Sequence, residues 1–357
     1  MLSQILGNPF IVNPVNDLPE LIRQFVHHLL PLNHPRAEIE LLYRMMRDYP
    51  ERGGKMIRGQ LTLMSALAYS SPNETLERVS GFEQPFPTSL ARALPLASAL
   101  ELFQNWVLIH DDIEDESEER RGSPALHRIH GLPLALNAGD ALHVYMWQAV
   151  FMGPEAARAE FLETIHRTAE GQHMDLGWVA AERWDVSPED YLEMVRLKTA
   201  YYTVVAPLKL GMMAANLEPD LRFLEAGLAL GAAFQIRDDV LNLTADAGAY
   251  GKEIAGDLLE GKRTLMLLWW LEQASSHQRE FFLGAMNKPR VEKSPEDMAQ
   301  ILEWLLSSGA PEHAMSVANG EAERGLKVLE EALQDAPNQM ATRVILEQMR
   351  SLATRMH

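Results

Sequence analysis

The chain contains no cysteine, and this absence removes several kinds of site at once. Disulfide bridges, zinc sites built on thiolates and thiol nucleophiles are all excluded. The absence is also typical of proteins kept in a reducing compartment, and we expect a cytoplasmic protein.

Long uninterrupted apolar runs are missing as well. No run reaches the roughly 18 apolar residues that a membrane-spanning helix needs, so we expect a soluble protein. The opening segment, MLSQILGNPFIVNPVNDLPE, lacks a basic stretch followed by an apolar core and a small-residue cleavage site. We therefore predict no secretory signal.

Positive charge is scarce. The chain has 32 Lys and Arg against 50 Asp and Glu, a formal net charge of −18 over 357 residues. This balance argues against a nucleic-acid-binding surface, which needs a basic footprint. It does not exclude a small phosphorylated substrate, because metal ions can invert the local sign of the charge.

Alternating Val, Ile and Thr strands bounded by hairpin turns are also absent. Ala- and Leu-rich segments recur at 55–70, 134–152, 189–216 and 262–274, and they predict an all-α protein with buried helices. The most linker-like break, NKPRVEKSPED, lies at 287–297. Too few residues follow it to assume an independent domain, so we predict one domain over 1–357 with a C-terminal helical subregion at about 290–357.

The most unusual stretch is HDDIEDESEERRG at 110–122, in which seven of the nine residues from 111 to 119 are acidic. On a helix at about 100° per residue, Gln104, Asp111 and Asp115 share a face, whereas Asp112 lies about 100° round and flanks it. Carboxylates one turn apart repel each other, and they lie here near a helix C-terminus, where negative charge is disfavoured. Cations are needed, and oxygen ligands suit a hard divalent ion such as Mg²⁺.

Two rival interpretations apply to this stretch. A solvated helix end would explain an isolated acidic run. A calcium loop beginning at Asp111 would need glycine at its sixth position, which is Glu116, so that pattern fails.

A second cluster, AAFQIRDDVLNL at 232–243, repeats the arrangement far downstream. Gln235 precedes Asp238 and Asp239 on an apolar helix, and Asn242 follows Asp238 one turn later. Two such clusters are much harder to explain as solvated helix ends than one. We therefore favour a functional interpretation of both clusters.

Cationic residues group with glycines around these clusters. The segment GGKMIRG places Lys55 and Arg58 one turn apart, and Lys198 stands beside Thr199. Arg binds phosphate as a fork and Lys as a point charge. Against a net charge of −18, these cations indicate two diphosphate sites; the remaining members are Arg120, Arg121, Lys252 and Lys262.

These motifs, in this order from about residue 50 to 270, resemble those of the trans-isoprenyl diphosphate synthases, the polyprenyl synthetase family. The resemblance is carried by GGKMIRG, DDIED, RRGSPALH, GLPLALNAGD, KTA, FQIRDD and GKEIAGDLLEGKRTL. DDIEDESEERRG with DDVLNL is most similar to geranylgeranyl diphosphate synthases, in which Asn stands where many relatives have a third Asp. Gln104, seven residues before Asp111, is more similar to the farnesyl enzymes.

The resemblance implies a single orthogonal helical bundle of the isoprenoid synthase type with a central apolar cavity, and a homodimer. It implies a Mg²⁺-dependent (2E,6E)-type polyprenyl diphosphate synthase that joins isopentenyl diphosphate head-to-tail to an allylic diphosphate. Asp111, Asp115 and Asp238 would bind the metal, with Asp112 and Asp239 supporting them. The allylic diphosphate would be held by Arg120, Lys198, Thr199, Gln235, Lys252 and Lys262, and isopentenyl diphosphate by Lys55, Arg58, Gln104 and Arg121.

Product length follows less directly. In the family, residues four and five positions before the first Asp help to close the chain pocket, and here these are Val107 and Trp106. We expect the C20 product, geranylgeranyl diphosphate, with the C15 farnesyl product as the alternative. A class I terpene cyclase is disfavoured by the second cationic group, and a non-catalytic synthase subunit by the presence of both acidic motifs.

Overall fold

Long helices built from Ala- and Leu-rich segments account for most of the chain, as the sequence predicted. The computed structural model describes residues 18–244 and 256–354. The α-helices are α1 (Leu18–Leu29), α2 (Ala37–Glu51), α3 (Ile57–Ala68), α4 (Thr88–Glu114), α5 (Leu126–His130), α6 (Leu132–Met152), α7 (Ala157–Ala180), α8 (Pro188–Val195), α9 (Ala206–Ala214), α10 (Arg222–Thr244), α11 (Gly256–Glu260), α12 (Leu265–Gln273), α13 (Ser276–Met286), α14 (Pro295–Ser307), α15 (Ala310–Leu333) and α16 (Gln339–Thr354).

Two short antiparallel hairpins interrupt the helices. Strands β1 (Leu76–Glu77) and β2 (Phe86–Pro87) pair before α4, and β3 (Glu119–Arg120) pairs with β4 (Ser123–Pro124) after it. The second hairpin turns at Arg121, whose φ of 54° is left-handed. This turn directs the two arginines of the acidic motif back towards the end of α4.

Helix α10 lies between two hydrophobic cores. Phe223 and Leu230 belong to a core formed with the N-terminal helices and α16, whereas Ile236 and Val240 belong to a second core formed with α12 to α15. A helix that contributes to two cores must be apolar nearly all round, as predicted for this segment. Towards the C-terminal end of this helix Asp238 is half-buried, whereas Asp239 beside it is buried.

A π-helix over Arg196–Val205 joins α8 to α9 without a break. Helices α7 and α10 approach it closely, because a β-carbon added at Gly171 would stand 2.2 Å from the backbone nitrogen of Lys198. A β-carbon added at Gly231 would stand 2.3 Å from the β-carbon of Ala200. Only glycine permits these distances, and π-helical turns occur frequently at functional sites.

The segment after α13 returns to the body of the molecule. A 3-10 turn over Arg290–Glu292 links α13 to α14, and α15 packs along α10. Among the helices of the described ranges, none is both long enough and apolar enough to cross a lipid bilayer.

Candidate functional site

A cavity of about 440 Å³ opens between α4, α7, the π-helix and α10. Its wall combines acidic and basic side chains with apolar ones such as Leu108, Val195 and Phe234. The predicted site residues that line it are Arg58, Gln104, Asp111, Arg120, Arg121, Lys198, Thr199, Gln235, Asp238, Asp239 and Lys262. The fold thus brings Asp111 of the first acidic motif and Asp238 and Asp239 of the second to one cavity, whereas Asp115, predicted as a metal ligand, is not among the residues that line it.

The first acidic motif keeps its helical spacing although α4 ends at Glu114. The amide of Asp115 donates to the carbonyl of Asp111 at 2.8 Å, so the two residues remain one turn apart. Lys262 Nζ lies 2.9 Å from Asp115 Oδ2, and Lys198 Nζ lies 3.8 Å from Asp111 Oδ1. Lysines from two other segments therefore compensate the charge that the sequence crowds together.

Within residues 18–244 and 256–354, no group of three or more His, Cys, Asp or Glu side chains lies close enough together to hold a metal ion. The side chain of Asp115 is only 10% exposed. Burial raises the pKa of its carboxyl to about 7, and nearby Asp111 and Glu260 act in the same direction against the lowering effect of Lys262.

Asp112 lies outside the cavity wall and is fully buried. Tyr49 Oη donates to Asp112 Oδ2 at 2.5 Å, and Arg120 Nε donates to Oδ1 at 2.9 Å. Its two oxygens are used to orient Arg120, which does line the cavity. Asp112 is therefore a positioning residue in this geometry.

Asp239 has a similar setting in the second motif. Tyr191 Oη donates to it at 2.6 Å, and Gln235 Nε2 donates at 2.8 Å. Gln235 in turn accepts a hydrogen bond from Thr199 Oγ1 at 2.9 Å, which ties the π-helix to α10. Burial, strengthened by the nearby carboxylate of Asp257, raises the pKa of Asp239 to about 7.

Two residues of α7 that the sequence analysis missed belong to this site. Asp175 Oδ2 accepts from Lys198 Nζ at 2.6 Å, and Gln172 Nε2 donates to Asp111 Oδ1 at 3.3 Å. Burial alone would lower the pKa of Lys198, but Asp175 and Asp111 outweigh it and raise the pKa above its usual value. The signal was present in the sequence as Gly171-Gln172 followed by Asp175, at helical spacing.

A smaller cavity of about 110 Å³ adjoins the first. Lys55 lines it together with Arg58, Gln104 and Arg121, and these last three also line the larger cavity. All four residues predicted for the second diphosphate therefore share one wall. Buried Glu101, which the sequence analysis missed, also lines this smaller cavity, and it accepts from the amide of Gly59 at 2.8 Å.

A third space of about 250 Å³ lies on the other side of the large cavity. Val107, Thr168 and Gln172 line both spaces, so the two are adjacent. Trp106 lines the third space but not the large cavity, and it packs there on Phe103 with the ring centroids 5.5 Å apart. Trp106 precedes Asp111 by five residues, which places it about 140° round the helix from that carboxylate. We call this space the apolar chamber; its apolar lining is Phe103, Trp106, Val107, Ile165, Ala169 and Leu176, and its polar lining is His110, Glu114, Thr168, Gln172 and His173.

Two residues of the downstream motif remain. Lys252, predicted to hold the allylic diphosphate, lies outside the described residues. Asn242 is buried and accepts from the amide of Asp257 at 3.2 Å, so it fastens the start of α11 to α10.

Comparison with known proteins identifies the family. The sequence model described as polyprenyl synthetase matches residues 39–305. The chain belongs to the polyprenyl synthetase family. A short chain isoprenyl diphosphate synthase of Methanothermobacter thermautotrophicus is 33% identical over 88% of this chain and 90% of its own. A geranylgeranyl pyrophosphate synthase of Geoglobus acetivorans is 30% identical over 88% of this chain and 91% of its own.

Solved structures of this polyprenyl synthetase family have the same fold. Geranylgeranyl pyrophosphate synthetase from Pyrococcus horikoshii Ot3 superposes with a TM-score of 0.76 at 28% identity, covering 99% of each chain. The Corynebacterium glutamicum geranylgeranyl pyrophosphate synthase, crystallised with isoprenyl diphosphate and magnesium, gives 0.81 at 26% identity over 96% of this chain and 100% of its own. The predicted family, the all-α fold and the prenyltransferase class are thereby confirmed.

Proposed function

We propose that this polyprenyl synthetase condenses isopentenyl diphosphate with an allylic diphosphate and releases geranylgeranyl diphosphate. The observation that carries the proposal is the adjacency of the two polar cavities. A cationic pocket that shares Arg58, Gln104 and Arg121 with a larger acidic and basic cavity suits two diphosphates held side by side. A terpene cyclase acts on one diphosphate and has no use for the second pocket.

We assign Asp111, Asp115 and Asp238 as the ligands of magnesium. Their donors are carboxylate oxygens, which hard divalent cations prefer, and Asp111 and Asp115 lie one helical turn apart. Within the described residues these carboxylates form no group close enough to hold a metal ion alone, so the metal would bind together with oxygens of the diphosphate. The Corynebacterium glutamicum relative was crystallised with magnesium, which supports this choice. When bound, the metal would offset negative charge that builds on the departing diphosphate.

The allylic diphosphate is assigned to Arg120, Lys198, Thr199, Gln235 and Lys262. As the allylic C–O bond breaks, both electrons of that bond go to the diphosphate, and fixed cations stabilise the charge that develops there. The isopentenyl double bond forms the new C–C bond, and a proton leaves to the diphosphate. Apolar wall residues such as Leu108 and Phe234 keep water from the electron-poor carbon.

The growing chain is assigned to the apolar chamber. Its opening lies beside the diphosphate cavity, at Val107, and the packed rings of Phe103 and Trp106 form part of its wall. A chamber of about 250 Å³ with aromatic walls suits a short product. The geranylgeranyl synthases among the relatives support C20 over the C15 alternative.

A homodimer is the assembly we propose. Large apolar side chains are exposed along α6 and next to it, and contiguous apolar surface of this kind is typical of protein interfaces. The most exposed on α6 are Val144 and Phe151, at 62% and 58%. Sedimentation of wild type and of Val144→Asp tests this assignment, since the charged variant should shift towards monomer.

The proposed reaction is tested by product sizing. Purified protein is incubated with magnesium, isopentenyl diphosphate and dimethylallyl, geranyl or farnesyl diphosphate, and products are separated by chain length. We expect C20 product from each primer, and loss of turnover in Asp111→Ala. Asp185→Ala, which removes an exposed aspartate that lines none of the three cavities, is the control. Cyclic or hydrolysed product from an allylic diphosphate alone would contradict the proposal.

A further inference from the structure

Lys262 is already shared among protein carboxylates. Its ammonium lies 2.9 Å from Asp115 Oδ2, 2.6 Å from Glu260 Oε2 and 3.6 Å from Asp257 Oδ1. Two of these carboxylates lie within 3 Å of the ammonium, so a diphosphate that approaches it meets their negative charge and competes with them for the same cation. A diphosphate entering the cavity therefore has to compete for Lys262.

Glu260 is the competitor with the shortest contact, and it belongs to no part of the cavity wall. It ends helix α11, and Gly261 follows with a left-handed φ of 77°. The amide of Lys262 then donates to the carbonyl of Asp257 at 2.9 Å. This turn fixes the backbone of Lys262, so that a change of partner from Glu260 to a ligand in the cavity would involve only the lysine side chain.

The linker after α13 supplies a second cation for Glu260. Arg290 Nη1 lies 3.4 Å from Glu260 Oε1, whereas Lys262 contacts the other oxygen, Oε2. From the same linker, Lys293 Nζ donates to the carbonyl of Leu259 at 2.6 Å. The segment that resembled a simple boundary in the sequence is thus in contact with the turn that carries Lys262.

We propose that Glu260, held by Arg290, competes with diphosphate for Lys262 and so sets the affinity of the allylic site. Arg290 takes up part of the charge of Glu260 and eases the transfer of Lys262 to the substrate. After reaction Glu260 recovers Lys262, which favours release of inorganic diphosphate. The inference rests on the proposed function, and it makes Glu260 and Arg290 positioning residues, because they act through Lys262.

The two residues should have opposite effects when replaced. Glu260→Gln removes the competitor and should strengthen binding of inorganic diphosphate in the presence of magnesium by about fivefold, a factor in the range of partly exposed ion pairs. Arg290→Gln leaves Glu260 to Lys262 alone and should weaken binding by about fivefold. Arg290→Lys should restore most of the affinity. The double variant should behave as Glu260→Gln does, because Arg290 acts through that carboxylate.

The measurement is calorimetric titration of the full chain with inorganic diphosphate and magnesium. Lys288→Gln is the matched control, since Lys288 is a cation of the same linker that lies 3.5 Å from Asp297, and it should leave the affinity unchanged. Far-UV circular dichroism and the melting temperature of each variant show that it is folded.

Three results would overturn the inference. Weaker binding by both single variants would indicate a merely structural role. No change in either would show that Glu260 does not compete. A fivefold gain from Glu260→Gln that persists with Lys262→Met would show a general field effect instead of competition for the ammonium. Diphosphate binding needs no prenyl transfer, so an inactive wild type would refute the proposed reaction and still leave this test able to decide.

Discussion

The neighbouring residues Asp111 and Asp112 have the same side chain and, in this structure, different tasks. Asp112 is buried to 1% side-chain exposure and faces Arg120, at 8%, and the hydroxyl of Tyr49. Asp111 lies in the cavity wall with 17% exposure. We predict that Asp112→Asn lowers stability and Asp111→Asn lowers activity.

The magnitude for Asp112→Asn follows from the burial of the pair. Removing one charge from a buried ion pair costs about 3–5 kcal/mol, because the other charge stays buried without compensation. Asp111 lies 3.8 Å from Arg120 and still compensates part of its charge. The free energy of unfolding should therefore fall by about 3 kcal/mol in Asp112→Asn, at the lower end of that range. With an unfolding entropy of about 2.1 cal/mol/K per residue, roughly 0.75 kcal/mol/K for 357 residues, the melting temperature should fall by roughly 4 °C.

The assay is thermal unfolding followed by circular dichroism, alongside steady-state prenyl transfer. Asp111→Asn is the matched control, and its melting temperature should stay within about 1 °C of wild type while kcat falls by about two orders of magnitude or more. Tyr49→Phe should lie between, since it removes one hydrogen bond to the same carboxylate. A wild-type melting temperature for Asp112→Asn would refute the assignment of Asp112 as the partner that stabilises Arg120.

Three further predictions concern other parts of the site. Burial and two nearby arginines lower the pKa of Lys293 to about 8, so between pH 8 and 10.5 the unfolded chain holds a proton that the folded chain has released. The free energy of unfolding of wild type, compared with Lys293→Gln in urea, should therefore rise with pH across that window, and a flat difference would contradict the shift. Gly171→Ala should lower both the melting temperature and kcat, because its β-carbon would meet the backbone of Lys198, whereas Gly177→Ala on the same helix has open space and should do neither. Val107→Phe narrows the opening of the apolar chamber and should shift products from C20 towards C15 on chromatographic sizing; an unchanged product length would exclude Val107 as the residue that limits the chain.

The electrostatics of the site connect these predictions. Lys198 and Lys262 each contact carboxylates from more than one helix, so their charge is already neutralised within the protein. Under the proposed function, substrate and metal binding would then amount to an exchange of partners among charges that are held in place. Such an exchange needs little reorganisation of the backbone, which suits a site that binds and releases a diphosphate at every turnover.

Features that depend on local periodicity could be predicted from the residues alone. Helical spacing placed Asp111 and Asp115 one turn apart with Gln104 on the same side, and it ordered Gln235 and Asp238 likewise on a second helix. The cations that line the two polar cavities were also recognisable, because their residue types and glycine neighbours are properties of short segments. The fold class followed in the same way from the abundance of Ala and Leu and the absence of strand patterns.

The contacts of each side chain, by contrast, depend on how distant segments pack together. Asp112 meets Tyr49 from 63 residues away, and Lys198 meets Asp175 from a different helix, 23 residues before it. The linker at 287–297 looked like a boundary, yet Arg290 reaches Glu260. Periodicity assigns a residue to a face of its own helix, but burial and ion pairing depend on which other helix packs against that face. Long-range packing alone therefore separates the carboxylates that face the cavity from the one that holds Arg120 in place.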